Sequence, residues 1–189
     1  PYMTDHCYLF AAGMRHCGTE AEAISMSDEL TLELGRKYTS GKECFPSIIT
    51  TGDIVKTTLS PDFDPDRSAF IMAGASGPCR FGQYPKLHRL VLDELGLQKV
   101  PVLLFDQTKN YHQHMDALGK DFWARSWQAI TILDSIHKML LERRPYEVNK
   151  GEADAVYQEW LELLVKLVEQ DSDGFESFAR RVRGAFEAV

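Results

Sequence analysis

The feature that most constrains the fold is an alternation of apolar runs and amphipathic segments within the first 106 residues. The run SAFIMAGA at 68–75 has the length of a strand and is bounded by glycine, and VPVLLFD at 100–106 is a second β-rich run. Between them, PKLHRLVLDELGL at 85–97 places its apolar residues on one helical face and stops at Gly96. A strand, a helix and a strand in this order are typical of a parallel sheet with a helical crossover.

The segments that precede this pattern extend it. Residues 7–17 predict a helix that ends before Gly18, and AEAIS at 21–25 alternates apolar and polar residues as a strand does. A further helix is predicted over PSIITTGDIVKTTL at 46–59, because proline suits the first helical turn. We therefore expect an α/β fold, a Rossmann-like layered sheet that is mostly parallel, with a helical C-terminal third.

That last third changes in character from Gln107 onward. Apolar residues recur there at helical intervals, ADAVYQEWLELLVKLVEQ at 153–170 is strongly amphipathic, and RRPYEVNKGEAD at 143–154 predicts a turn between two long helices. The expected organisation is an α/β core at 1–106 that carries the cysteine motifs, with a helical extension at 107–189 packed on it.

Charge and hydropathy exclude several classes of partner. The net charge of −7 and the pI near 5.4 argue against binding to nucleic acid, which needs lysine and arginine clustered on one face. No apolar run approaches the ~18 residues that cross a bilayer, and the chain does not open on a signal peptide. The sequence therefore predicts a cytoplasmic protein with no membrane partner.

The cysteines and the missing motifs narrow the chemistry further. The four cysteines match no small secreted disulfide scaffold, so reduced thiols or metal ligands are expected. The chain contains no GxxxxGK[ST], GxGxxG, GxSxG or HExxH, and it therefore encodes no recognisable nucleotide-hydrolysing site. Because it begins at Pro1 rather than at a methionine, we expect it to be part of a longer polypeptide.

Two of the cysteines lie in matched settings. TSGKECFPSIITTGD at 39–53 and ASGPCRFGQY at 75–84 each place glycine, proline and one cysteine at the mouth of a predicted helix. The N–H groups and the dipole of a helix N-terminus stabilise a thiolate. One interpretation is that Cys44 and Cys79 face a single crevice and hold iron or another soft metal. The alternative is a pair of buried, inert cysteines that pack as small apolar side chains.

The remaining candidates are less specific. Cys7 follows His6 where a strand is expected to meet a helix, so both side chains are candidates for the same crevice, whereas Cys17 fits a structural position on its helix. His112 and His114 in NYHQHMD suit a solvated or capping role better than metal chelation.

Four ordered motifs identify a family resemblance. PYMTDH, GRKYTSGKECFPSIITTGD, SGPCRFGQY and RPYEVNKGEAD closely resemble the dehydratase-like region of CoA-enzyme activase proteins, which are relatives of 2-hydroxyacyl-CoA dehydratase and benzoyl-CoA reductase. The resemblance extends from Pro1 to about Tyr157. It implies an anaerobic, oxygen-sensitive system in which an ATP-driven activator passes a low-potential electron to a partner whose cysteine-bound [4Fe-4S] cluster handles a CoA thioester.

The resemblance also implies roles for individual residues. Cys44 and Cys79 match the cysteines expected to bind the cluster, and Lys42 and Arg80 would offset its negative charge. Relatives often carry a second cysteine where this chain has Ser47. Either Cys7 contributes a ligand, a cysteine from the missing part does, or the cluster has been lost.

Three functions follow as expectations. The first is an iron-sulfur domain for electron transfer or CoA-thioester activation, whose partners are the rest of an activase polypeptide and a CoA thioester or a redox protein. Its cluster is expected to be absent from the isolated domain prepared in air. The second is a non-catalytic docking or scaffold module with a degenerate cluster site. The third is a small-molecule-binding α/β domain that uses no metal.

Overall fold

The computed structural model describes residues 1–75, 77–106, 118–119, 121–170 and 174–189. The chain divides into two compact units. The first unit comprises Pro1–Thr4 and Ala23–Met115, and the second comprises Asp5–Glu22 and Asp116–Val189. The segment at 5–22 therefore groups with the C-terminal helices.

The first unit contains three helices and two strands among its described residues. In chain order these are α2 (Glu29–Lys37), α3 (Phe45–Thr58), β1 (Phe70–Gly74), α4 (Tyr84–Glu94) and β2 (Val102–Asp106), with a 3-10 turn at Arg80–Gln83 directly before α4. The strands are parallel, and their register pairs Phe70 with Val102 and Gly74 with Asp106. Because α4 connects them along the chain, the strands and this helix form one βαβ unit.

The second unit is helical throughout the elements that the structure describes. It comprises α1 (His6–His16), α5 (Phe122–Arg143), α6 (Glu152–Glu169) and α7 (Phe175–Glu187), with a 3-10 turn at Arg144–Tyr146. Its core is one cluster of fifteen buried residues, which includes Leu133, Leu164 and Phe186. The apolar residues follow helical spacing along each helix, so a single bundle core is the expected result.

Helices α2 and α3 approach each other unusually closely. A Cβ atom added at Gly35 would overlap the carbonyl oxygen of Ile48, and one added at Gly52 would overlap that of Thr31. Helix α2 begins at a capping box, in which Asp28 Oδ1 accepts from Thr31 N at 2.9 Å and Thr31 Oγ1 accepts from Asp28 N at 3.2 Å. The cap fixes where α2 begins, and the two glycines permit its close approach to α3.

The expectation of a Rossmann-like layered sheet is wrong. The described residues form mostly helix and one two-stranded sheet, and AEAIS at 21–25 forms no strand. Its alternation has another cause, because Ile24 packs from an irregular segment against the buried cluster of Ile54, Phe70, Leu92 and Val100. Alternation of apolar and polar residues in a short segment shows only that one side of the segment is buried. A loop that lies over a core also has one buried side, so the alternation does not require a strand.

Most individual elements agree with the sequence pattern. The helices predicted at 7–17, 46–59 and 85–97 and the strands predicted at 68–75 and 100–106 are confirmed within a few residues. Two long helices with a turn between them and a further helix are confirmed after residue 121, while residues 107–117 lie outside the described part. Among the described helices, none is long and apolar enough to cross a membrane.

Candidate functional site

A cleft of about 310 Å³ lies where α3 and α4 begin. Its lining combines charged, polar and thiol side chains from both helix starts, namely Lys42, Glu43, Cys44, Ser47, Arg80, Gln83, Tyr84 and Leu87. The 3-10 turn at its edge follows the loop that leaves the carboxyl end of β1. Ligand sites of parallel βαβ units form at this end of a strand.

Cys44 occupies the N-cap position of α3. Its backbone is extended, with φ −69° and ψ 150°, and its carbonyl oxygen accepts the first helical hydrogen bond from Ser47 N at 2.9 Å. Pro46 lies in the first turn and suits a position where a helical N–H has no intrahelical partner. The half-buried thiol therefore lies at the positive end of a fourteen-residue helix.

Cys79 occupies the equivalent position before the 3-10 turn. Its backbone is extended, with φ −70° and ψ 130°, and its side chain is exposed. The turn folds tightly against the end of β1, because a Cβ atom added at Gly82 would overlap the carbonyl oxygen of Ala75. Arg80 Nη1 donates to the carbonyl oxygen of Lys42 at 2.9 Å. This hydrogen bond joins the two cysteine-bearing loops.

Tyr84, the first residue of α4, contacts Cys44. Its hydroxyl oxygen lies 2.7 Å from Cys44 Sγ, and its side chain is buried. Burial raises the pKa of Tyr84 to about 12, and the hydrogen bond to Cys44 and the charges of Cys44 and Cys79 contribute further. The phenol therefore keeps its proton at neutral pH and has one thiol as a contact and a second thiol within electrostatic range.

Buried polar residues continue inward behind Tyr84. Ser47, Thr50 and His88 are all nearly inaccessible to solvent. Thr50 Oγ1 donates to the carbonyl oxygen of Pro46 at 3.0 Å, so His88 Nε2, at 3.2 Å from the same hydroxyl, acts as the donor to it. Burial lowers the pKa of His88 to about 3, and this imidazole is therefore neutral.

The charged groups at the rim are held by their own loop. Glu43 accepts from Ser40 Oγ at 3.0 Å and from Lys42 N at 3.1 Å. Hydrogen bonds from its own backbone amide and from Ser40 lower the pKa of Glu43. The cleft therefore presents Lys42 and Arg80 as cations, a carboxylate held in a turn, and the thiol of Cys44.

The structure places the predicted site residues as follows. Cys44, Lys42 and Arg80 line one cleft, and Cys79 directly precedes Arg80, so the prediction that both cysteines lie at helix starts is confirmed. That they bind one cluster stays a prediction. Cys7 lies on α1 in the second unit, and its role as a ligand also stays a prediction.

The other candidates lie elsewhere. In the second unit, His6 Nε2 is 2.9 Å from Asp134 Oδ1. Cys17 packs against Gly119, where an added Cβ atom would come within 2.5 Å of its sulfur, and burial raises the pKa of this thiol. This contact fits the structural role predicted for Cys17. His112 and His114 lie outside the described residues.

Sequence reasoning missed Tyr84, which has the closest contact with a cysteine at this site. The residue closes the motif SGPCRFGQY and begins an amphipathic helix, with His88 one turn later. A tyrosine at an apolar helix position must bury its ring and still find a partner for its hydroxyl, and a nearby thiol is such a partner. This requirement is the feature of the sequence that could have identified Tyr84 as a site residue.

The donor atoms at the cleft fit a cluster in kind but not in number. Cysteine sulfurs at helix starts beside cations suit iron and sulfide, and Cys44 and Cys79 provide two such sulfurs. Ser47 provides a hydroxyl, and the described residues contain no group of three or more His, Cys, Asp or Glu side chains placed to hold a metal. Any further ligand must come from outside the cleft.

Comparison with models of protein families, with curated proteins and with solved structures finds no match for this chain.

Proposed function

We propose that the first unit is the iron-sulfur module of a protein similar to the CoA-enzyme activases and 2-hydroxyacyl-CoA dehydratases. The observation that supports this function is that the two cysteine motifs meet at one cleft, which Cys44 and Arg80 line and where Arg80 Nη1 donates to the carbonyl oxygen of Lys42 at 2.9 Å. Each cysteine starts a helical segment, and helix starts stabilise the thiolate form that binds metal. Inert packing cysteines have no reason to share this setting.

In this proposal Cys44 and Cys79 supply thiolate ligands to a [4Fe-4S] cluster. When bound, such a cluster supplies a low-potential electron for the activation of a CoA thioester or for transfer to a redox partner. Lys42 and Arg80 hold positive charge beside the thiolates, which favours binding of an anionic group. The bond from Arg80 to the carbonyl of Lys42 keeps the two ligand loops in register.

The proposal also covers the cellular environment of the protein and its partners. The module acts in the cytoplasm of an anaerobic system, and its partners are the remainder of an activase polypeptide and either a CoA thioester or a redox protein. The acidic composition, with a net charge of −7, supports partners other than nucleic acid. Missing ligands would come from that remainder or from a partner.

A second function, a docking module with a degenerate cluster site, is favoured by the residue at position 47. Ser47 lines the cleft where relatives resembling this chain often carry cysteine, and its side chain is only 3% exposed. A buried hydroxyl is a rare iron ligand, so a chain that keeps the fold but has lost a thiolate would show this arrangement.

Anaerobic purification with quantification of iron and acid-labile sulfide distinguishes the two functions. The iron-sulfur function predicts bound iron and sulfide in the intact chain, or their uptake on anaerobic reconstitution, with charge-transfer absorption in the visible range. Cys44→Ala and Cys79→Ala should each abolish the absorption, whereas the control Cys17→Ala should retain it. Iron that persists in both variants, or an intact protein that takes up none, would favour the docking module.

A further inference from the structure

We infer that the cleft binds an oxyanion, a phosphate or carboxylate group of a small ligand, at the start of α3, and that Ser47 Oγ donates a hydrogen bond to it. Neither of the two proposed functions assigns such a role to Ser47. The inference deepens the proposed function and rests on it only for which substrate carries the oxyanion. The metal-free chain itself supplies every group of the site.

The first argument is that the hydroxyl of Ser47 lacks a partner. This side chain lines the cleft and is only 3% exposed, and its Oγ has no hydrogen-bond partner among the residues that the structure describes. The backbone amide of Ser47 is already used, because it donates to the carbonyl oxygen of Cys44 at 2.9 Å. A buried hydroxyl without a partner lowers stability, and a ligand in the cleft is the partner that this position offers.

The second argument is the direction in which that hydroxyl faces. Among the described residues of the first unit, three side-chain atoms are buried without a partner and out of reach of solvent, namely Thr51 Oγ1, Asp53 Oδ1 and His88 Nδ1. Ser47 Oγ does not belong to this group, so the small exposed area of Ser47 includes its hydroxyl. Since Ser47 lines the cleft, its hydroxyl faces the space that a ligand would occupy.

The third argument is the start of α3 itself. The helix has fourteen residues, its N-cap residue Cys44 makes no side-chain capping hydrogen bond, and its first turn contains no acidic residue. The first N–H groups of a helix lack intrahelical partners and, together with the helix dipole, attract an anion. Ser47 lies in this first turn, so its hydroxyl and the helix start act on the same ligand.

The fourth argument is the charge of the lining. Lys42 and Arg80 line the cleft, and neither forms an ion pair within the described part of the chain. Arg80 Nη1 donates to the carbonyl oxygen of Lys42 at 2.9 Å, which holds the guanidinium at the rim and leaves its other N–H groups for a ligand. Both carboxylate oxygens of Glu43 accept within their own turn, from Ser40 Oγ and from Lys42 N. The two cations therefore outweigh this single carboxylate.

The size of the cleft indicates what carries the oxyanion. Its volume of about 310 Å³ lies within the range of small-molecule sites and exceeds the space that one phosphate or carboxylate group needs. The oxyanion is therefore one end of a larger ligand, whose remaining part lies along Tyr84 and Leu87.

The test is titration of the full chain with inorganic phosphate and, separately, with acetate, after metal has been chelated and the chelator removed. Isothermal titration calorimetry measures the dissociation constant, which we expect to be about 1 mM, and amide shifts in NMR spectra should locate the ion at the start of α3. Ser47→Ala and Arg80→Gln should each weaken binding about tenfold, the effect of losing a hydrogen bond to a charged group. The probe that binds more tightly identifies the oxyanion of the ligand.

Two matched controls come from α7. Ser177 is the third residue of its helix, as Ser47 is of α3, but its hydroxyl already donates to the carbonyl oxygen of Gly174 at 2.9 Å. Arg183 is an exposed arginine of the same helix. Ser177→Ala and Arg183→Gln should each change the dissociation constant less than about twofold.

The stability of Ser47→Ala separates a binding role from a structural one. Because its hydroxyl has no described partner within the chain, Ser47→Ala should leave the melting temperature unchanged or raise it, whereas loss of a structural serine would lower it. No detectable binding of either probe, unchanged affinity in Ser47→Ala, or an equal loss in the controls would overturn the inference. A chain that binds a probe but takes up no iron would contradict only the iron-sulfur function, and a chain that takes up iron but binds neither probe would contradict only the oxyanion site.

Discussion

The two units of this chain bury different kinds of side chain. The second unit is built on one cluster of fifteen buried residues that is almost entirely apolar. The described apolar clusters of the first unit include one of four buried residues and one of three. Among the described residues, the first unit also buries six polar or ionisable side chains and the second unit two, which are Thr31, Ser47, Thr50, Thr51, Asp53 and His88 in the first and Arg125 and Ser126 in the second.

This difference separates a unit built for packing from one that holds chemical groups in place. Burial of a polar group costs stability unless a hydrogen bond compensates, and a close backbone approach tolerates few substitutions. The first unit carries both features at α2, α3 and α4, and the candidate cleft lies at the start of two of these helices. The second unit gains its stability mainly from the apolar surface that it buries, so the loss of a single polar contact should change that stability little.

The largest expected effect tests the apolar cluster. Leu164 is fully buried in α6, and Leu164→Ala should lower the free energy of unfolding by about 3–4 kcal/mol because it leaves a cavity. Urea denaturation measures the loss, and hydrogen exchange should place it mainly in α1, α5, α6 and α7. The control Leu141→Ala, at a position 51% exposed, should cost less than about 0.5 kcal/mol. Similar losses in the two variants would contradict the single-cluster description.

The next effect tests the close approach in the first unit. Gly52→Ala should destabilise the protein by about 2–3 kcal/mol, because the new methyl group meets the rigid carbonyl of Thr31. Gly184 lies within α7 with no atom near an added Cβ. The control Gly184→Ala should therefore stabilise by about 0.5–1 kcal/mol. Thermal and urea unfolding of both variants measure these changes in stability. If both variants were stabilised, α2 and α3 would be able to move apart without cost.

The difference between the units also explains what sequence could predict. Helical spacing of large apolar residues is a long signal, and it correctly predicts α6 from residues such as Val156, Trp160 and Leu164. The contact of α2 with α3 depends on Gly35 and Gly52. A pattern of apolar residues does not show which helix packs against a glycine, so this contact could not be predicted. One βαβ unit was correctly predicted, but its extension to a layered sheet rested on a five-residue alternation.

The candidate site shows the same limit. The cysteine motifs predict correctly that Cys44 and Cys79 start helical segments, because caps and prolines are local signals. The contact between Cys44 and Tyr84 joins residues that are far apart in the chain, and it depends on how α3 and α4 pack. Local pattern therefore found the candidate ligands and missed the side chain that touches one of them.

A third prediction concerns the buried imidazole of the first unit. Burial lowers the pKa of His88 to about 3, against about 6.5 in the unfolded chain. Below about pH 6.5 the unfolded state therefore binds a proton at His88, whereas the folded state does not. The free energy of unfolding consequently falls as the pH decreases from about 6.5 toward about 3. The slope approaches about 1.4 kcal/mol per pH unit within that window.

The variant His88→Gln isolates this slope. It should be less dependent on pH across the window, as measured by urea denaturation at a series of pH values. The control Val91→Ala, a buried apolar change on the same helix, should lower stability by a similar amount at every pH. Parallel curves for wild type and His88→Gln would contradict the assignment of a neutral buried imidazole.

The smallest expected effect comes from Asp53, whose side chain is fully buried on α3 and accepts from Ser27 Oγ at 3.0 Å. Burial raises the pKa of Asp53 above its usual value of 3.8. The folded state therefore favours the protonated form of Asp53 more strongly than the unfolded chain does. Stability from this group is greatest below about pH 3.8 and decreases as pH rises through the folded pKa.

Asp53→Asn should therefore raise the melting temperature slightly at neutral pH, and its advantage should vanish in acid. Asp28 provides a matched control of opposite sign, because a hydrogen bond from Thr31 N lowers its pKa. The Asp28 carboxylate stabilises the fold above about pH 3.8 and loses that contribution as pH falls through its lowered pKa. Asp28→Asn should therefore lower the melting temperature slightly at neutral pH, because it removes the negative charge at the start of α2 and beside Lys56. If Asp53→Asn instead destabilised the protein at neutral pH, the ionised carboxylate would be a needed partner in the first unit, and its polar interior would hold charge as well as neutral groups.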